Sequence, residues 1–153
     1  MSRFKLVLAV ALLGVVSLLA TGCHTVAPAK VADARSLEGK RNILVVVSDR
    51  PDRGFLHEID RNLTMRGFIV TNGRLQDMGA REQLYLVYED IWAWDVVMYP
   101  KQVTISLYDA KTRKLIGSDE FKSSLLRAYP DPAEITDEML GRILGEPSGS
   151  DLH

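Results

Sequence analysis

A chain of 153 residues with 46% hydrophobic and 25% charged side chains has the length and apolar content for one domain around one core. Its formal charge of −1 leaves no electrostatic footprint for nucleic acid. A lone cysteine, Cys23, excludes an intrachain disulfide, and the histidines at 24, 57 and 153 are too scattered for a histidine-based metal centre.

Arg3 and Lys5 precede an uncharged apolar run from Leu6 to Ala20, the plan of a secretory signal. A spanning helix needs about 20 apolar residues. This run gives way sooner, to Gly22, Cys23 and a polar, proline-containing stretch. Ala20-Thr21-Gly22-Cys23, preceded by Leu18 and Leu19, resembles the lipobox of bacterial lipoproteins, with small Gly22 at the bond to be cut. The lipobox favours Leu three places before the cysteine; Ala20 stands there, with Leu19 one place further out. The resemblance implies cleavage of residues 1–22 and a covalent lipid on Cys23, with no other cofactor. Two or more acyl chains, at about 0.8 kcal/mol per buried methylene, hold a protein stably where one does not. The sorting rule that comes with the resemblance retains proteins with Asp after the cysteine in the inner membrane. His24 stands there, so the expected address is the periplasmic face of the outer membrane.

Residues 23–41 have the composition of a tether, with a hint of a helical turn between Val31 and Leu37. A domain over 42–146 opens with consecutive apolar residues from Ile43 to Val47, the signature of a strand buried on both faces. After a polar loop, Phe55 to Arg66 places Phe55, Leu56, Ile59 and Leu63 on one side of a helix that Gly67 ends. A strand over Phe68 to Thr71 then implies a parallel pair with a crossover. After Asn72-Gly73 a short helix to Glu82 is expected, then strands over Leu84 to Asp95, Val103 to Tyr108 and Leu115 to Phe121, an antiparallel meander. Asp131, Pro132 and Glu134 form an N-terminal capping pattern for a last helix, striped by Ile135, Met139, Leu140, Ile143 and Leu144 and stopped by Gly145. Residues 147–153 read as a disordered tail. The expected class is α/β (α+β), a parallel βαβ start plus a three-stranded meander and a C-terminal helix, with helices on one sheet face.

Tyr88, Trp92 and Trp94 share the even-numbered face of their strand with Leu84 and Leu86, and Tyr99 follows beyond the turn. Such a face either packs on a helix or forms an exposed aromatic platform for a partner or a membrane, and the leucines favour burial. The segment Trp92-Ala93-Trp94-Asp95-Val96-Val97-Met98-Tyr99 resembles small Gram-negative lipoproteins of unknown function that carry Trp-x-Trp-Asp-x-x-x-Tyr. In outline the chain is also similar to the α/β domain of the TolB N-terminus and of curli-type secretion lipoproteins, which implies a ring subunit as one further role.

The loop Ser48 to Gly54 precedes a helix, where backbone N–H groups favour anions, and Arg50 and Arg53 add positive charge. The loop lacks a phosphate-cradle pattern, and Asp49 and Asp52 oppose an anion, so Asp52 reads first as a helix cap. His57 nearby reads as a solvated helix residue, and Glu89, Asp90 and Asp95 show no convergence on one bond. No catalytic set is legible. The leading expectation is a non-catalytic interaction or assembly accessory, anchored in the membrane by its lipid, with a protein partner in the envelope and oligomerisation left open. The runner-up is a small-ligand binder or enzyme using Ser48, Arg50, Arg53 and His57.

Overall fold

The computed structural model describes residues 28–123 and 131–146. Cys23, His24 and the tail from residue 147 lie outside the described residues. Ile43, Leu44 and Val45 are buried in succession in β1 (Asn42–Val46), because this strand has a neighbour on each side and cover on each face. β2 (Ile69–Gly73), β3 (Leu84–Trp94), β4 (Met98–Asp109) and β5 (Leu115–Lys122) complete one sheet of order β2-β1-β3-β4-β5. β1 runs parallel to β2 and β3, whereas β3, β4 and β5 form the expected antiparallel meander.

Among the described residues three α-helices accompany the sheet: α1 (Ala34–Leu37), α2 (Phe55–Met65) and α3 (Pro132–Leu144). Phe55, Ile59 and Leu63 of α2 and Ile135, Met139, Leu140 and Ile143 of α3 pack on one sheet face, against Ile43, Val45, Leu84, Leu86, Val103, Ile105 and Leu107. α2 ends in a Schellman turn: Gly67, at φ +83°, donates to Thr64 O (3.0 Å) while Phe68 donates to Leu63 O (3.0 Å). Asp131 caps α3 by accepting the Ala133 N–H at 3.0 Å, and Pro132 occupies the position where a missing N–H costs nothing. Among the described residues no helix is long and apolar enough to cross a membrane.

The link from β2 to β3 departs from expectation. Only one 3-10 turn, Leu75–Asp77, forms where a short helix was anticipated. The Glu82 carboxylate takes the Gly79 N–H at 2.9 Å, a side-chain bond that competes with helical pairing. Met78 from this link lies on the second sheet face, beside Leu44, Tyr85, Val87 and a stacked Tyr85–Tyr108 pair at 4.8 Å.

β4 also begins earlier than Val103. Trp92 pairs with Pro100 but Ile91 with Gln102, so Lys101 is the extra residue of a bulge. Among the described residues β5 ends at Lys122, opposite Gln102, with Ser123 donating to Lys101 O at 2.9 Å, so the missing N–H of Pro100 deprives none of them of a partner. Beyond this level β3 and β4 continue, among the described residues, as a two-stranded ribbon, because β1 pairs with β3 only as far as Val87.

Part of the stretch read as tether lies against the domain. Lys30 and Ser118 exchange backbone hydrogen bonds at 2.7 and 2.9 Å, and Ala32, 6% exposed, donates to Ile143 O at 2.7 Å. Lys40 then pairs with Asp109 at 2.5 Å, at the end of the sheet where β1 starts.

Candidate functional site

β1 sends the chain to β2 through α2 and receives β3 on its other side after the link over residues 74–83. Where connections leave in opposite directions, an open α/β sheet has a crevice at the carboxyl ends of its strands. Two adjoining clefts of about 340 Å³ each occupy this place, and Arg50, Asp90 and Ile91 line both. One adds Pro51, Arg53 and Trp92, the other Ser48, Tyr88 and Glu89.

Asp52 organises the loop: Gly54, not Asp52, holds the N-cap position of α2, but Asp52 Oδ1, two residues earlier, accepts the Leu56 N–H at 3.0 Å and so satisfies one donor of the first turn. The same carboxylate takes a hydrogen bond from Tyr88. Burial first, then the negative charges of Asp52 and Asp90, push the Tyr88 phenol from 10 up to about 12. Trp92 packs edge-on against Phe55 with centroids 6.0 Å apart, and its indole N–H donates to Asp90. The Arg53 guanidinium lies 5.6 Å above the Trp92 ring. The aromatic floor is therefore fixed from below, above and its polar edge.

Of the loop residues singled out by sequence, Ser48, Arg50 and Arg53 line the clefts, and His57 is exposed on α2 and lines neither. Ser48 Oγ accepts the Arg50 N–H at 3.2 Å and meets no general base. The Arg50 guanidinium has no hydrogen-bond or ion-pair partner among the described residues. No group of three or more His, Cys, Asp or Glu side chains able to hold a metal occurs among them either. The arrangement offers one free cation beside an aromatic floor, without a paired nucleophile and base.

The aromatic set is divided. Tyr88 is buried and Trp92 half-buried in the core beneath α2, while Trp94, on the same face, runs past the end of α2 and is 73% exposed. Tyr99, half-buried, follows on β4. Around Trp94, the ribbon tip exposes Ile91, Val96 (78% exposed), Val97 and Met98. These four residues were not among the sequence candidates. Their signal is Val96-Val97-Met98 directly after Asp95, an apolar run where a turn calls for Gly, Asn or Asp.

The sequence matches no protein-family model and no curated protein. Among solved structures, the chain is similar to a PelC dodecamer from Paraburkholderia phytofirmans, at 16% identity and a TM-score of 0.47, over 76% of this chain and 92% of that one. It is also similar to TolB from Acinetobacter baumannii, at 15% identity and a TM-score of 0.49, over 78% of this chain and 31% of that one. A putative neuraminyllactose-binding hemagglutinin homolog from Helicobacter pylori follows at 11% identity and a TM-score of 0.31, over 65% and 68% of the two chains. These likenesses are of outline, and the chemistry of the site rests on its own residues.

Proposed function

We propose that this protein is a lipoprotein of the cell envelope, held through Cys23 at the periplasmic face of the outer membrane, that acts as a non-catalytic interaction or assembly accessory. The observation that carries the reading is the apolar tip of the β3–β4 ribbon. Trp94, Val96, Val97 and Met98 serve no core and stand together in solvent, the mark of a surface made for contact. The resemblance of Ala20-Thr21-Gly22-Cys23 to a lipobox supports the anchor, and Ser48 Oγ, which accepts the Arg50 N–H, has no base beside it among the described residues.

Full-length protein produced in Gram-negative cells tests both halves. Its mature mass should carry a lipid on Cys23, and Cys23→Ser should leave the membrane fraction. A photo-crosslinking residue at position 96 should give an adduct in living cells, whereas one at Lys111, at the other end of the sheet, should not. Equal labelling at 96 and 111 removes the contact role of the tip.

A second reading is favoured by one observation, the unpartnered Arg50 at two clefts floored by Tyr88 and Trp92: capture of a small anionic ligand. Inorganic phosphate or a simple carboxylate should then raise the melting temperature of the wild type and not of Arg50→Ala. No shift with either probe removes it.

A further inference from the structure

The path by which the chain enters the domain identifies what the ribbon tip meets. β5 runs toward the ribbon end of the sheet, since Leu115 lies opposite Tyr108 and Lys122 opposite Gln102. Lys30 pairs with Ser118 in the antiparallel sense. The segment at Lys30 therefore runs away from the ribbon end, and Pro28 and Ala29 lie on its tip side. From Ser106, the β4 partner of Ser118, to Met98 at the tip is eight residues of strand, or about 26 Å. From Lys30 back to Cys23 is seven residues, which reach at most about 25 Å when fully extended. With the sheet standing ribbon end toward the membrane, a lipid on Cys23 thus leaves the tip at the surface that holds it, not clear of it. Any shorter path presses the tip inward.

We propose that the β3–β4 ribbon tip is a second, non-covalent membrane contact, in which Val96, Val97 and Met98 enter the headgroup–acyl boundary of the bilayer that anchors Cys23. The inference rests on the lipoprotein reading and names the surface that the tip contacts. Trp94 and Tyr99 flank the three apolar residues, and tryptophan and tyrosine are the side chains that settle at a membrane interface, apolar body inward and polar edge outward. Asp95, exposed in the turn, limits the depth to the headgroup level. Behind the tip, Lys101, Arg50 and Arg53 are exposed toward anionic headgroups. Of the nearby acids, Asp49 is paired with Arg74 at 3.1 Å and Asp90 accepts from the Trp92 indole, while Asp52 and Glu89 are also exposed and oppose the three cations in part.

The two tryptophans make the test direct. The full chain, purified from membranes, is reconstituted into phosphatidylethanolamine–phosphatidylglycerol vesicles doped with brominated phosphatidylcholine. In Trp92→Phe, Trp94 is the sole tryptophan; its emission should shift to the blue and be quenched by the lipid bromines. In Trp94→Phe, Trp92 should be indifferent to them, and Val96→Asp/Val97→Asp in the Trp92→Phe background should abolish the quenching of Trp94. If Trp92→Phe fails to fold, an environment-sensitive label on Val97→Cys reports the same contact, since Cys23 is blocked by its lipid. Trp94 that stays open to aqueous iodide and untouched by bromolipid, in a chain whose intact mass shows lipid on Cys23, overturns this inference alone. A free Cys23 thiol overturns the anchor reading, and this inference with it.

Discussion

Replacing Gly117 by alanine probes the seam between the entering chain and the domain. A Cβ at Gly117 would sit 2.8 Å from Ile143 Cγ2, 3.2 Å from Lys30 O and 3.4 Å from Ala32 N. Carbon pairs rest at about 3.5–4.0 Å, so Ile143 or the entering segment must move by roughly 0.7 Å or more. Ile143 is fully buried in α3, and Lys30 O accepts the Ser118 N–H, so neither yields freely. Overpacking of this kind costs about 1–3 kcal/mol. Alanine also stiffens the unfolded chain, which offsets about 0.4–1 kcal/mol. The expected net loss is about 1–2 kcal/mol, read as a lower urea midpoint at unchanged slope. Amide exchange at Lys30 and Ser118 should accelerate by more than the global loss, because that pair gives way first. In an Ile143→Ala background, itself costing about 2–5 kcal/mol, the 2.8 Å contact is gone and only those to Lys30 O and Ala32 N remain, so the cost of Gly117→Ala should fall by more than half. A Gly117→Ala protein as stable as the wild type to within about 0.5 kcal/mol, with Ser118 still protected, would refute the packing described for this seam.

Other expectations are independent of that one. Thr136 is fully buried with its hydroxyl unpartnered, so Thr136→Val should stabilise by roughly 1 kcal/mol in urea unfolding. Arg142 binds the buried Asp119 carboxylate at 2.7 Å but is itself part-exposed, so Arg142→Ala should cost roughly 1–3 kcal/mol, and more than Glu138→Ala. Lys40, and then Thr112, hold the Asp109 carboxyl well below the usual carboxylate range. That contribution is complete above about pH 5 and fades as the pH falls below about 4, so the stability gap between wild type and Asp109→Asn should narrow from pH 7 to pH 3. Tyr88 in the folded chain keeps its proton up to about 12, whereas the unfolded chain releases it near 10. Native protein binds more protons in that window, so stability falls from pH 10 to 12, and Tyr88→Phe should lack this part of the fall.

The elements that could be read from sequence carry their own chemistry. The mostly β-branched run Ile43 to Val47 reads as a strand covered on both faces, and Asp131-Pro132 with Gly145 marks both ends of α3 by local rules. The length of the β3–β4 ribbon was not legible, because Pro100 argues against a strand until the Lys101 bulge and the end of β5 are known. The docking of residues 30–32 left almost no trace. It uses backbone N–H and C=O groups that every residue has, and only Gly117 shows that two chains pass closely there. At the candidate site, strand period placed Tyr88, Trp92 and Trp94 on one face, as found. It could not say that α2 covers that face only as far as Trp92, and this difference separates a core residue from an exposed one.

The antiparallel pairing of Lys30 with Ser118 has a mechanical consequence. Tension applied ahead of Pro28, toward the ribbon end, acts along the strand direction rather than across it. The two exchanged hydrogen bonds and the Ala32–Ile143 bond are then loaded together in shear instead of being unzipped one after another. A pull reaches the sheet through β5 and helix α3 at once, so the domain resists being peeled open from the Pro28 side.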